Sequence, residues 1–128
     1  MDQRPLSPHL QVYRFGLTMT VSILHRLSGI ALSLGLVLGV LSLLQLTQGA
    51  SAYAQWVSLF ATPVGTLLRA GVLLALVYHS ITGVRHLIFD LGLALERRTA
   101  RTSAYVVLIS FVVLASVVLG LWIHGGGV

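Results

Sequence analysis

The sequence contains no cysteine and no lysine, and only three acidic residues and three prolines in 128 positions. Without cysteine the chain has no disulfide framework, no thiolate metal site and no cysteine nucleophile, and it cannot hold an iron–sulfur cluster of its own. Its redox compartment therefore cannot be read from thiols. Asp2, Asp90 and Glu96 are the only carboxylates, too few and too scattered for a carboxylate-built metal site. No glycine-rich turn follows a strand-like run, which removes dinucleotide binding. Charged residues make up 9% of the chain, against about 25% in a soluble domain. Eight arginines and three acids cannot cover a soluble fold of this size with polar surface. Disorder is excluded as well, because 56% of the residues are hydrophobic. What remains is one small integral membrane domain spanning residues 1–128.

The net charge of +5 and basic pI raise the question of nucleic acid, but the arginines flank apolar runs instead of forming a polar patch. No nucleic-acid partner is expected; the partner that composition demands is the lipid bilayer. Leu27 to Leu46 and Ala104 to Ile123 are uncharged runs of 20 residues, the length that crosses a hydrocarbon core of about 30 Å as a helix. Ala70 to Val84 is shorter and lies between Arg69 and Arg85. Extended to about Thr66–Phe89, it is long enough, with Arg69 snorkelling outward. Three spans cannot close a barrel, so the fold class is all-α. The transmembrane helices are placed at about 22–46, 66–90 and 103–124. Gln48-Gly49-Ala50-Ser51 ends the first, and Pro63 precedes the second. Tyr53 to Phe60 reads as a short amphipathic stretch lying in the interface with Trp56, and Thr99 to Ser103 as the link between helices two and three.

Arg4, Arg14 and Arg26 precede the first span, and Arg97, Arg98 and Arg101 follow the second. The loop from Gln48 to Pro63 and the tail from His124 to Val128 carry no Arg. Basic residues mark the cytoplasmic side, so the N-terminus is expected inside and the C-terminus outside. Residues 1–20 are read as a cytoplasmic segment, either a loose tail or a docking arm. Pro5 and Pro8 interrupt any early apolar run, no small-residue cleavage site follows, and the composition is not that of a transit peptide. A bacterial inner membrane is the expected location. Gly35 and Gly39, and Gly71 and Ala75, are small residues at i, i+4, available for close packing within the chain or against a partner.

Polar groups inside spans are costly and point to function. Ser22, His25, Arg26 and Gly29 fall on one face at the cytoplasmic edge of helix one. This set can supply donors to the carbonyl oxygens of a quinone headgroup, or it can be an interfacial Arg answering a lipid phosphate beside a helix cap. His79, Gly83, His86 and Asp90 form a second stripe, on helix two. Gly83 leaves a groove between the two imidazoles in which a planar macrocycle could lie. His79, near mid-span, is a haem ligand, a proton relay or a packed hydrogen-bonded residue. His86 lies about 10 Å nearer the cytoplasm. On this reading His25, Arg26, Arg85 and His86 ring the inner end of a cofactor centred at His79, where propionates need basic neighbours. No second histidine of the chain is expected at the depth of His79, so a second axial ligand has to come from another polypeptide.

The motifs Arg-Pro-Leu-Ser-Pro-His (4–9), Ser-Ile-Leu-His-Arg-Leu-Ser-Gly (22–29) and His-Ser-Ile-Thr-Gly-Val-Arg-His-Leu-Ile-Phe-Asp (79–90) together resemble the cytochrome b556 membrane-anchor subunits of succinate dehydrogenase, respiratory complex II, over nearly the whole chain. The resemblance implies two three-helix anchor subunits sharing one haem b. These would hold an iron–sulfur subunit and a flavoprotein subunit at the cytoplasmic face, so that electrons from succinate pass through FAD and iron–sulfur clusters to ubiquinone. By motif, His79 corresponds to the axial haem ligand, and Ser22 and Arg26 to the quinone pocket. His25, Arg26 and His86 correspond to the haem propionate vicinity. Fumarate reductases with related anchors run the reverse reaction. From the residues alone, a small non-redox transporter or assembly subunit is the competing class. Topology is open to direct test. A reporter enzyme that works only outside the cytoplasm is expected to be active when fused after Val128, and activity there of a cytoplasm-only reporter would reverse the orientation.

Overall fold

A computed structural model describes residues 15–126. Arg4, Arg14 and the motif at 4–9 lie outside the described residues. The described residues form four helices: α1 (Leu17–Thr47), α2 (Ala50–Phe60), α3 (Pro63–Asp90) and α4 (Arg97–His124). α1, α3 and α4 are each long and apolar enough to cross a membrane. At 1.5 Å per residue the 31 residues of α1 extend about 46 Å, well beyond a hydrocarbon core of about 30 Å. The helix therefore starts before the apolar run does, and Ser22, His25 and Arg26 occupy its early turns.

Local chemistry sets the ends. Gly49 takes φ 107°, a left-handed conformation open to glycine, and turns the chain from α1 into α2. Thr62 caps α3 by accepting from the Gly65 backbone N–H at 3.1 Å, and Pro63 fills the first position, where no N–H is needed. α2 is the stretch read as amphipathic, and it is tied to α1 by Trp56, whose Nε1–H donates to Ser42 Oγ at 2.7 Å. Gly92 and Ala94, both with positive φ, shape the link from α3 to α4. That link is residues 91–96, not Thr99–Ser103 as expected. The Arg97–Arg98 pair and Arg101 favour helix strongly enough to extend α4 past the apolar boundary.

Helices one, three and four meet around Val21, Tyr78, Ala104 and Val107, with Phe111 packed alongside. Tyr78 Oη donates to the Val21 carbonyl at 3.0 Å, and its ring meets Phe111 edge-on at 5.2 Å. Large apolar side chains elsewhere are exposed all round, Leu36 and Val64 among them, as lipid-facing helices require. The small-residue spacings divide. A Cβ at Gly35 would come within 2.9 Å of Val72, so Gly35 lets α1 approach α3. Gly39 and Gly71 face open space.

A Cβ on Gly65 would meet the backbone of Phe60, and the Leu59 carbonyl oxygen at 2.6 Å. Backbone cannot yield as a side-chain end can, so Gly65→Ala is expected to cost about 3 kcal/mol, the upper end of overpacking. Gly39→Ala should cost nothing measurable. Thermal unfolding in detergent checks the pair, and equal melting of the two variants would contradict the α2–α3 corner described.

Candidate functional site

The polar groups of α1 and α3 meet along one seam. Val21, His25 and Ser28 bring α1 against Tyr78, His79 and Thr82 of α3, and Thr82 is fully buried. The single protons of the two hydroxyls fix the direction of the bonds. Ser28 Oγ–H donates to the His25 carbonyl at 2.7 Å, so toward His79 Nδ1, 3.0 Å away, it can only accept. His79 Nδ1 is also 3.2 Å from the His25 carbonyl oxygen, which accepts only. Both contacts require the proton of His79 on Nδ1. Nε2 then carries a free lone pair, and no hydrogen bond engages it among the described residues. Thr82 repeats the logic. Its Oγ1–H is directed to the Tyr78 and His79 carbonyls at 2.8 and 3.2 Å, so it accepts from His25 Nδ1–H at 2.7 Å.

The imidazoles of His25 and His79 stack with centroids 4.0 Å apart and planes 11° from parallel. His25 also touches the ring of His86 at 4.6 Å. This overturns the expectation that no second histidine lies at the depth of His79. Sequence spacing gives depth along one helix, but it does not give the stagger between two helices, and the seam sets His25 level with His79. Gly29 makes room, since a Cβ there would stand 3.2 Å from the His79 ring.

His79 and His86 lie about 100° around α3 from Tyr78 and Arg85, which face α4. Ser22, Arg26 and Gly29 lie on the neighbouring flank of α1. The two stripes thus adjoin on the side of the seam away from α4. Gly83 leaves open space there, with nothing within 4 Å of a Cβ. Arg26 is exposed and Ser22 half-buried. His86 Nε2 is buried yet has no hydrogen-bond partner among the described residues. Asp90, at the end of the same stripe, is exposed. Three clefts lie elsewhere, of about 430, 550 and 380 Å³, and none is lined by His79, His86 or Arg26.

Arg85 does not join this group. It is 4% exposed and turned toward α4, donating from Nε to Ser103 Oγ at 2.9 Å and from Nη2 to the Ala100 carbonyl at 3.3 Å. Its expected place around the inner end of a cofactor is corrected: one position from His86 is about 100° of rotation on a helix. The residues missed in the sequence are Ser28, Tyr78 and Thr82. A signal existed: Ser28 and Thr82 each sit three residues after a histidine, on the same face and inside an apolar span.

Among the described residues no three His, Asp or Glu side chains converge to hold a bare metal ion. A haem asks less of one chain: one imidazole whose Nδ1 is held and whose Nε2 is free. His79 meets that requirement, and the unpartnered His86 Nε2 offers a group for the macrocycle's edge. The donor set fits a haem.

Residues 1–119 match the family model of the succinate dehydrogenase/fumarate reductase transmembrane subunit. The chain is 42% identical over 114 residues to the succinate dehydrogenase cytochrome b556 subunit of Paracoccus denitrificans, covering 88% of this chain and 86% of that protein. It is 45% identical over 120 residues to the mitochondrial cytochrome b560 subunit of Sus scrofa, covering 91% and 69%. Against the cytochrome b560 subunit of Marchantia polymorpha it is 36% identical over 129 residues, covering 95% and 94%. The polar seam and its three membrane-crossing helices are thus those of a chain that belongs to the succinate dehydrogenase/fumarate reductase transmembrane subunit family, alongside the cytochrome b556 and b560 subunits of succinate dehydrogenase.

Proposed function

We propose that this chain is a membrane-anchor subunit of a succinate:quinone oxidoreductase, which ligates haem b through His79 and contributes Ser22 and Arg26 to a ubiquinone-reduction site. The observation that carries the reading is the locked ring of His79. Two acceptors hold the proton on Nδ1 and leave Nε2 without a hydrogen bond among the described residues. A second anchor subunit of three helices would close the flank over Gly83 and bring the other axial ligand, so that one haem is shared. When bound, the haem supplies one-electron chemistry next to the quinone.

The chain's own residues then have separable tasks. Ser28 and the His25 carbonyl orient His79 and hold its proton on Nδ1, which leaves the Nε2 lone pair for the metal. His86 Nε2–H and the Arg26 guanidinium give the propionates donors, and His25 lies in the same vicinity with its own proton committed to Thr82. Ser22 and Arg26 donate to a quinone carbonyl oxygen, and the guanidinium opposes the negative charge that develops there. Succinate oxidation belongs to the partner flavoprotein, and transfer toward the membrane to a partner iron–sulfur subunit, since this chain has no cysteine. The N-terminus lies in the cytoplasm, where these subunits dock, and the C-terminus in the periplasm of a bacterial inner membrane. The succinate-oxidising direction follows the names of the relatives. A transporter or assembly subunit explains neither the pinned His79 nor the family membership.

His79→Ala is expected to remove or convert the low-spin b-type spectrum of the purified complex. His86→Ala should keep that spectrum and shift the midpoint potential. Ser28→Ala should retain the haem but weaken its binding by about tenfold, the low end for losing an outer partner, because the His25 carbonyl still accepts. Redox-titrated absorbance reads all three. Loss of the spectrum with His86→Ala and its survival with His79→Ala would exchange their roles.

Arg26→Leu should lower ubiquinone reduction by about 10- to 150-fold, the worth of one charge-assisted hydrogen bond. Succinate oxidation with an artificial dye acceptor should remain largely intact. Ser22→Ala should act in the same way but more mildly. Equal loss with quinone and dye would indicate failed assembly and would remove Arg26 from the quinone site.

A further inference from the structure

Arg85 is a buried cation, and no carboxylate pairs with it among the described residues. Its contacts are Ser103 Oγ, the Ala100 carbonyl and the face of Phe89, whose ring lies 4.3 Å from the guanidinium carbon. Neutral partners satisfy N–H groups but leave the charge uncompensated, which is costly away from water. The stretch from Arg85 to Arg101 holds four arginines against two acids, Asp90 and Glu96.

Arg85 lines a cleft of about 550 Å³ between α3 and α4, and among the described residues it is the only ionisable one that does so. The lining is polar at one end, where Thr99, Thr102 and Ser103 stand near Arg85. Beyond them the walls are apolar except for Ser110, through Val84, Val106 and Val107 to Leu114. From Thr99 to Leu114 the cleft follows α4 for about 22 Å, roughly the reach of a fatty-acyl chain. A cationic head end and a long apolar trough fit an amphiphile that carries an anion at one end. A peptide would need polar groups along the trough for its backbone. A neutral quinone would leave the Arg85 charge unanswered.

We infer that this cleft is a binding site for an anionic phospholipid of the leaflet at the arginine-rich end of the bundle. The phosphate pairs with Arg85 and accepts from Thr99, and one acyl chain lies along α4. Basic pockets between transmembrane helices recognise lipid headgroups by this chemistry. The site lies about 100° around α3 from the histidine face and does not depend on what that face binds.

The test uses the whole complex with its partner subunits, delipidated in detergent and titrated with phosphatidylglycerol or phosphatidylcholine under native mass spectrometry. Phosphatidylglycerol is expected to bind about tenfold more tightly, as one charge-assisted contact would give. Arg85→Gln should erase that preference. Ser110→Phe, which fills the trough without touching Arg85, should abolish retention of both lipids while leaving subunit composition unchanged. If Arg85→Gln does not assemble, Ser110→Phe and Thr99→Val carry the test. Equal binding of the two lipids, or unchanged retention in Ser110→Phe, would overturn the inference. Full displacement by millimolar inorganic phosphate would do so too, by showing a bare anion site. A partner carboxylate occupying the cleft would appear as no lipid binding at all.

Discussion

The association of α1 with α3 is the constraint on which the rest of the structure depends. In lipid, apolar side chains gain little by leaving hydrocarbon for another helix, so close packing and hydrogen bonds must hold helices together. The chain concentrates both on this seam. Gly29 and Gly35 admit His79 and Val72. His25, Ser28, Tyr78 and Thr82 then join the helices by hydrogen bonds of 2.7 to 3.0 Å. Each such bond fixes the stagger of one helix against the other, and together they leave no freedom to slide by a turn. The imidazole faces that result are a consequence of that register.

The same seam explains how the candidate site is held. A hydroxyl has one proton, and Ser28 and Thr82 both direct theirs to helix carbonyls. Each is left as a pure acceptor, and each takes a Nδ1–H from the opposite helix. Both histidines are thereby fixed in one tautomer before any ligand arrives, with Nε2 as the remaining base. Preorganisation of this kind is completed within one chain; closure of the flank over Gly83 and His86 is not. A chain that offered two axial ligands itself would need a second histidine directed across a gap. Here His25 lies flat on His79 instead, which places it too close to bracket a macrocycle.

Much of the fold was legible in the sequence because the bilayer simplifies the reading. Uncharged runs of 20 residues, arginine at their edges, Pro63 and Gly49 mark helices and ends with little ambiguity. The stripes through Ser22–Gly29 and His79–Asp90 were also legible, since side chains at i, i+3, i+4 and i+7 share a face whatever else the helix does. Relations between helices were not. The stacking of His25 on His79 depends on stagger, which sequence spacing does not encode. The direction of Arg85 depends on which neighbour stands at its angle, and a position one residue from His86 belongs to a different face. The early start of α4 at Arg97 was hidden because an apolar run marks the bilayer, whereas a helix continues as long as its backbone and propensities permit.

The exclusive use of arginine is the remaining regularity, and it follows from the scarcity of acids. With three carboxylates in the sequence, most cations have no ion-pair partner within the chain, so each must be stabilised by neutral groups or by something outside. An ammonium concentrates its charge and is strongly hydrated; a guanidinium spreads it over a plane that stacks on rings and divides its donors among several acceptors. Both arginines on α3 that meet α4 use these properties. Arg69 lies over the Trp122 ring at 5.7 Å and donates to Thr66, while Arg85 combines Phe89, Ser103 and Ala100. Arg26 differs from them: it is exposed on the flank beside Ser22 and has no such cage among the described residues. An exposed guanidinium without neutral partners among the described residues keeps its donors for a group from outside them. That separates Arg26 from Arg69 and Arg85, which both link α3 to α4.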